Sequence, residues 1–340
     1  MRTWLVDVPV RINIWIRPTL QKKQWEIIKE ARPRILFIQS DGGRNEEEWA
    51  SIKLNRELVD NGIDWECKVY KFYESKNLGL YTMGTKVEKF IWDHVDRCVF
   101  LEDDHIPSAS YFLFCADLLD RYKNDQRIEA ICPFNVLGEW KRCKADYFFS
   151  RRGGSVWGYA TWRDRAVNVP EIRKYKNDKY FMTTLKQLER VDYLSYKRII
   201  GYTKNPYYEN HIPFTEFWHR FNAFAQNRLF IVASKSLLTC EGATDNSAHS
   251  CDYDKLTGNI KSLFFSRRYE IEMPLCHPEF VINDESFAAE CELLFDEKFI
   301  KKTRRYYLRI REAIAEKRLF RTVYRKLFGK TNNNNNNIEK

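Results

Sequence analysis

A short apolar run that stops on three consecutive carboxylates constrains this chain most: Cys98-Val99-Phe100-Leu101 leads directly into Glu102-Asp103-Asp104. Apolar residues of this type belong inside a sheet, so the three acids are delivered together where the strand leaves it. In an open α/β sheet, ligands bind just beyond the carboxyl ends of the strands. Three crowded carboxylates repel one another unless a cation lies among them. Oxygen ligands suit a hard divalent ion such as Mg2+ or Mn2+, which commonly bridges to the phosphates of a nucleotide. The alternative is an acidic loop after a core strand, and the surroundings have to choose between the two.

Those surroundings alternate strands with helices. Val10–Ile16 reads as a strand ending at Arg17-Pro18, and Thr19 can cap the helix that follows, with Leu20, Ile27, Ile28 and Ala31 at roughly helical spacing. Ile35–Ile38 reads as a second strand, ending in Ser40-Asp41-Gly42-Gly43. Asn45 then caps a helix whose first turn holds Glu46, Glu47 and Glu48, favourable at the positive end of its dipole, and Gly62 stops it. A third strand is expected near Trp65–Tyr73, followed by the Asn77-Leu78-Gly79 loop. A helix over Thr85–His94, the Cys98–Leu101 strand, a helix after Pro107-Ser108 and a strand over Ile128–Cys132 complete the series. Strands separated by single helices imply βαβ units and a Rossmann-like, mainly parallel α/β sheet flanked by helices.

Beyond Ser150 the pattern is less regular. The stretch Arg151–Trp162 mixes glycine with aromatic residues, as in a loop packed against a ligand or the sheet, and Lys174–Arg198 looks helical and polar. Between Phe299 and Phe328 apolar residues recur among lysines and arginines, which describes a basic amphipathic helical segment. Asn332–Asn337 is a run of six asparagines, read as a disordered tail. The expected organisation is a main domain over 8–290, the basic helical segment over 291–330 and the tail over 331–340.

Charge and cysteine usage narrow the class. The net charge is +10, but Lys298–Lys330 holds 13 basic and two acidic residues, a net of +11, so the rest of the chain sums to −1. The basic character lies in that segment, which argues against nucleic acid as a partner of the main body. The segment either docks on an anionic membrane surface or covers the core with its apolar face. The nine cysteines include no C-x-x-C pair, which argues against a zinc knuckle and suits a reducing compartment. Asp7, Arg11 and Asn13 interrupt the first apolar stretch, unlike a signal peptide, and no uncharged run reaches the ~18 residues that span a bilayer. A cytoplasmic protein is expected, peripheral on the inner face of the plasma membrane if the basic segment binds there.

Four stretches occur in a telling order: Arg17-Pro18 after the first strand, Gln39–Gly43 after the second, Phe100–Asp104, and Gly154–Trp162, with a weaker fifth, Glu216-Phe217-Trp218-His219-Arg220. In this order they resemble glycosyltransferases of the GT-A fold, particularly bacterial family-2-like transferases and N-acetylglucosaminyltransferase I, over roughly residues 8–250. The resemblance implies a metal-dependent, inverting transfer of a sugar from a nucleotide-diphosphate donor, with UDP preferred. The acceptor would be a glycan or a lipid-linked saccharide, in the assembly of a bacterial surface polysaccharide or lipopolysaccharide. A noncatalytic carbohydrate- or membrane-binding protein on the same scaffold is the alternative.

The resemblance also implies roles. Asp104 would coordinate Mn2+ or Mg2+ directly, Asp103 would face the ribose and the metal's waters, and Glu102 would orient the site. His249, in a glycine-acid stretch, could contact the metal or the diphosphate. Asp41 could accept a hydrogen bond from uracil or ribose, or simply form an Asx turn. Arg17 could reach the base or diphosphate, Asn77 belongs to the donor loop, and Trp157 and Gly158 would line the sugar, since sugar C–H faces stack on aromatic rings. An inverting transfer needs a base, for which Glu216 is the first candidate and His219 the second. His219 stands where the relatives have an aspartate.

Overall fold

The computed structural model describes residues 1–152, 157–166, 177–191, 196–197, 199–201, 215–243, 253, 256 and 258–295. The chain divides into two compact units, Met1–Leu294 and Phe295–Lys340. Of the basic helical segment expected over 291–330, residues 291–295 are described, as the end of a helix; the remainder lies outside the described residues, as do the asparagine tail and His249.

The first βαβ units follow from the sequence pattern. Strand β1 (Val6–Asn13) leads into helix α1 (Pro18–Ala31), β2 (Pro33–Ser40) into α2 (Glu46–Gly62), and β3 (Lys68–Tyr73) into α3 (Leu80–His94). Asn45 caps α2 as expected, its side chain accepting from the Glu48 amide at 2.9 Å, and Glu46–Glu48 fill the first turn. Helix α1 departs from expectation. Arg17 and not Thr19 is its N-cap, and Pro18 opens the helix, where a fixed φ and a missing N–H cost nothing.

Strand β4 (Arg97–Leu101) is followed by β5 (His105–Pro107), α4 (Tyr111–Arg121) and β6 (Ile128–Cys132). After these come β7 (Tyr147–Ser150), β8 (Tyr159–Trp162), α5 (Arg163–Ala166), α6 (Lys179–Val191) and α7 (Thr215–Ala225). The last described elements are β9 (Leu229–Ala233), β10 (Leu238–Cys240), α8 (Gly258–Lys261) and α9 (Glu285–Phe295). Eight strands form one sheet in the order β3-β2-β1-β4-β8-β6-β9-β7, flanked by helices, while β5 and β10 pair as a separate antiparallel ribbon. The sheet is mainly parallel: only β7 and β8 run against the others.

The aromatic stretch near residue 160 corrects the sequence reading. Tyr159–Trp162 is not a loop but a buried central strand, antiparallel to both β4 and β6. Trp162 fills core, donating its indole N–H to Leu119 O at 2.9 Å. Among the described residues no helix is long and apolar enough to cross a membrane, and eight of the cysteines are free thiols.

Candidate active site at the carboxyl edge of the sheet

The first crossovers carry the chain from β1 outward to β2 and β3, and β4 then returns to the other side of β1. Such a reversal leaves a crevice beyond the strand ends, the place where open α/β sheets bind ligands. The Glu102–Asp104 turn falls there, opposite the end of β1.

Two arginines, not one, meet the acids. Arg11, buried on β1 beside the Phe100 ring, donates to Glu102 Oε1 at 3.2 Å and to Leu101 O at 3.3 Å. Asn13 donates to the second Glu102 oxygen. Arg17 Nη1 donates to Asp103 Oδ1 at 2.8 Å and to Asp104 Oδ2 at 3.2 Å, with all three side chains largely buried. The cation that the acids require among them is thus already supplied by protein. Gln24 fixes the turn from below, its amide donating to both Glu102 O and His105 O at 2.7 Å.

This arrangement pulls the carboxyls apart electrostatically. Protein packed around Glu102 would raise its pKa, but Arg11, with the bonds from Arg11 and Asn13, holds it below its usual range. Burial pushes Asp103 up to about 7, with Asp104 adding to the rise and Arg17 opposing it. Asp104 is raised by burial too, against the pull of Arg17. Burial lowers Arg17, yet Asp103 and Asp104 more than compensate.

The ribbon completes the site with residues that sequence reasoning missed. His105 and Cys240 lie directly opposite one another on β5 and β10. With Asp104 they offer three ligand atoms within 4.8 Å of one another. An oxygen, nitrogen and sulfur set fits a divalent cation, and a borderline ion such as Zn2+ or Co2+ more closely than Mg2+. His105 Nδ1 accepts from the Glu102 amide at 3.0 Å, which assigns the neutral ring's proton to Nε2, the nitrogen facing Asp104 Oδ1 at 3.5 Å. His105 can ligate through Nε2 only by releasing that amide, and otherwise it serves Asp104 as a donor. Burial drives its pKa down to about 4, outweighing Glu102 and Asp103, so the ring is neutral near pH 7.

Other expected site residues are placed differently. Asp41 is an Asx clasp: Oδ1 accepts from the Gly42 and Leu78 amides at 2.8 and 2.9 Å, and Oδ2 from the Gly79 amide at 2.9 Å. Asn77 joins the clasp by donating to Gly42 O at 2.9 Å. A Cβ on Gly42 would meet Lys76 C at 2.4 Å, so the clasp closes only over glycine. Both residues therefore shape the loops that border the crevice. Trp157 packs between Phe134 and Phe264, ring centroids 5.0 Å from each, and 6.4 Å from His105. Gly158 turns the chain with a φ of 57°, where a Cβ would strike Leu238.

His219 lies inside the protein on α7. Its Nδ1 is 2.8 Å from Glu129 Oε1, and its ring lies edge-on to Tyr159. Glu129 is fully buried on β6 and also accepts from Asn222 and Arg228. Glu216 is on the same helix, but its side chain is outside the described part of the structure.

No protein-family model and no curated protein sequence matches this chain. Among solved structures, it is similar to UDP-glucose pyrophosphorylase complexed with UDP-glucose, at 8% identity over 68% of this chain and 91% of that one, with a TM-score of 0.31. Glucosyl-3-phosphoglycerate synthase from Mycobacterium tuberculosis, in complex with Mn2+, UDP-glucose and phosphoglyceric acid, matches at 12% identity over 54% and 66% of the two chains, TM-score 0.27. Mouse xyloside xylosyltransferase 1 in its apo form matches at 11% identity over 78% and 96%, TM-score 0.34. Likeness this distant transfers neither a substrate nor a residue's role.

Proposed function

We infer that the chain is a glycosyltransferase that takes its sugar from a nucleotide-diphosphate donor, bound in the crevice beyond β1, β2 and β4. One observation carries the reading: Arg17, Asp103 and Asp104 converge where the sheet reverses direction, which is where such a fold accepts a phosphate-bearing ligand. Asp104, with Cys240, would hold a divalent cation, which when bound supplies Lewis-acid neutralisation of the departing diphosphate. Mn2+ and Mg2+ suit the phosphates, and Zn2+ or Co2+ suits the thiol.

This chain's own residues do the rest. Arg17, which bonds to Asp103 and Asp104, would turn its fork of N–H donors to the diphosphate if Asp104 were taken up by a cation. Asp103 follows the ribose hydroxyls, while Arg11 and Asn13 keep Glu102 from turning into the crevice. The acceptor hydroxyl oxygen bonds to the anomeric carbon as the bond from that carbon to the diphosphate oxygen breaks. Glu216 takes the hydroxyl proton, and His219, held by Glu129, positions the helix that carries it. The acceptor is a glycan or a lipid-linked saccharide.

The test is release of nucleoside diphosphate from a panel of nucleotide sugars with Mn2+, Mg2+, Zn2+ or Co2+ in turn. Turnover that Asp104→Asn abolishes is the expected result. A second reading, a noncatalytic carbohydrate-binding protein, is favoured by one observation: Arg17 already pairs with both Asp103 and Asp104. That protein would bind saccharide and turn over no donor with any of the four ions, an outcome that ends the transferase reading.

A further inference from the structure

Side chains alternate across a two-stranded ribbon, so its two faces present different residues. On the β5/β10 ribbon, His105 and Cys240 belong with Asp104 on one face. The next pair, Ile106 and Thr239, belongs to the other. There it opens into a cleft of about 500 Å³, lined by Lys23, Ile27, Ile106, Thr239, Glu241 and Arg268. The volume is within the range of small-molecule sites.

At this cleft Thr239 is only 6% exposed, and its Oγ1 is fully buried with no hydrogen-bond partner among the described residues. Buried hydroxyls are nearly always paired, because an unmade bond leaves the desolvation of the group uncompensated. Thr239 itself lines the cleft, so a turn of its side chain about χ1 would present this orphaned hydroxyl to a partner there. Ile27 and Ile106 add apolar surface beside it. Two cations and one anion complete the lining: Lys23 Nζ is 2.8 Å from Glu241 Oε2, and Arg268 is tethered by one Nη1 bond to Pro107 O, also at 2.8 Å. A guanidinium has five N–H donors, and the tether uses one of them.

We propose that this cleft is a second ligand site, separate from the acid cluster, for a small hydroxylated ring bearing one anionic group, such as a sugar acid or a sugar phosphate. The anion lies between Lys23 and Arg268, where the local charge of +1 matches it. A C–H face of the ring rests on Ile27 and Ile106, and a ring hydroxyl bonds to Thr239 Oγ1 once that side chain turns toward the cleft. A neutral sugar leaves the cations unmatched, and a bare phosphate leaves the hydroxyl unpaired. The site does not depend on the transferase reading, because none of its lining residues is one of the acids or arginines of the crevice.

The test is calorimetric titration of the full chain with glucuronate, glucose 6-phosphate, glucose and inorganic phosphate. Either or both sugar anions should saturate the protein, with glucose and phosphate at least about tenfold weaker. Thr239→Val, which removes the hydroxyl at nearly constant shape, should weaken the sugar anions about tenfold, the worth of one hydrogen bond. Arg268→Gln, an exposed change that spares the fold, should weaken them similarly, while Asp104→Asn should leave binding unchanged. The proposal is overturned if neither sugar anion binds, if glucose or phosphate binds as tightly, or if Arg268→Gln has no effect. Loss of binding in Asp104→Asn would also overturn it, by placing the ligand in the crevice.

Discussion

Gly242 lies against Asp104 so closely that a Cβ there would sit 1.8 Å from Oδ2 and 2.7 Å from Cγ. The neighbouring Glu241 amide bonds to Asp104 O at 2.9 Å, so the backbone after β10 forms a wall for the carboxylate. Gly242→Ala must push the carboxylate aside. It should weaken divalent-cation binding and lower any turnover by about a hundredfold, the scale of a 1 Å displacement of a working group, while the fold survives. Titration of the variant with Co2+ checks this, and undiminished affinity would mean that Asp104 is not a ligand.

Arg17 should matter in opposite ways with and without a cation. Removing one partner of a buried ion pair costs about 3–5 kcal/mol, and the side chains of Arg17 and Asp103 are 11% and 13% exposed. Arg17→Ala should therefore lose about 3 kcal/mol in metal-free denaturation, with a saturating divalent ion restoring part of the loss by preferring the folded state. Equal loss with and without the ion would show that Arg17 and the cation do not compete for the acids.

The neutral state of His105 makes a prediction in acid. Its folded pKa, about 4, lies below the ordinary 6.5, so the unfolded chain takes up the proton first as pH falls. The stability linked to His105 is fully present above pH 6.5 and is lost as pH falls toward 4, up to about 3 kcal/mol. Asp103, raised to about 7, works in the opposite sense over an overlapping window, so the comparison must isolate the histidine. His105→Gln, whose amide can accept from Glu102 and donate to Asp104, should show a smaller fall in stability between pH 6.5 and 4 than the parent. Identical pH profiles would contradict a buried neutral ring.

His219 and Glu129 separate support from chemistry. Glu129→Ala leaves the Arg228 guanidinium, the Asn222 amide and His219 without their shared acceptor and should cost about 3–5 kcal/mol. His219→Gln should lower the melting temperature while any turnover, measured below that temperature, stays within about threefold. A hundredfold loss at unchanged stability, the scale of a lost general base, would make His219 a reacting group.

Much of the fold is legible locally. The Asn45 cap, the acidic first turn of α2 and the Ile128–Cys132 strand depend on neighbours in sequence and appear where their residues predict. Tyr159–Trp162 is four residues long, and its partners Val99 and Ile131 come from distant segments, so nothing local marks it as a central strand. The site divides the same way. Three adjacent acids announce a strand end, but Arg17 reading as a ligand-facing group gives no sign that its guanidinium will close on Asp103. Cys240, an isolated thiol in sequence, meets His105 only because two short strands pair in one register. Asp41 shows the converse, since a turn-forming aspartate beside glycines is equally suited to a ligand or to the amides of the next loop.

A single amide on α1, that of Gln24, grips the carbonyls on either side of Asp103 and Asp104. The angle at which those acids stand is consequently inherited from how the first helix seats on its sheet. Selection can retune the mouth of the crevice by shifting one helix by a fraction of a turn, without touching any residue that meets a ligand.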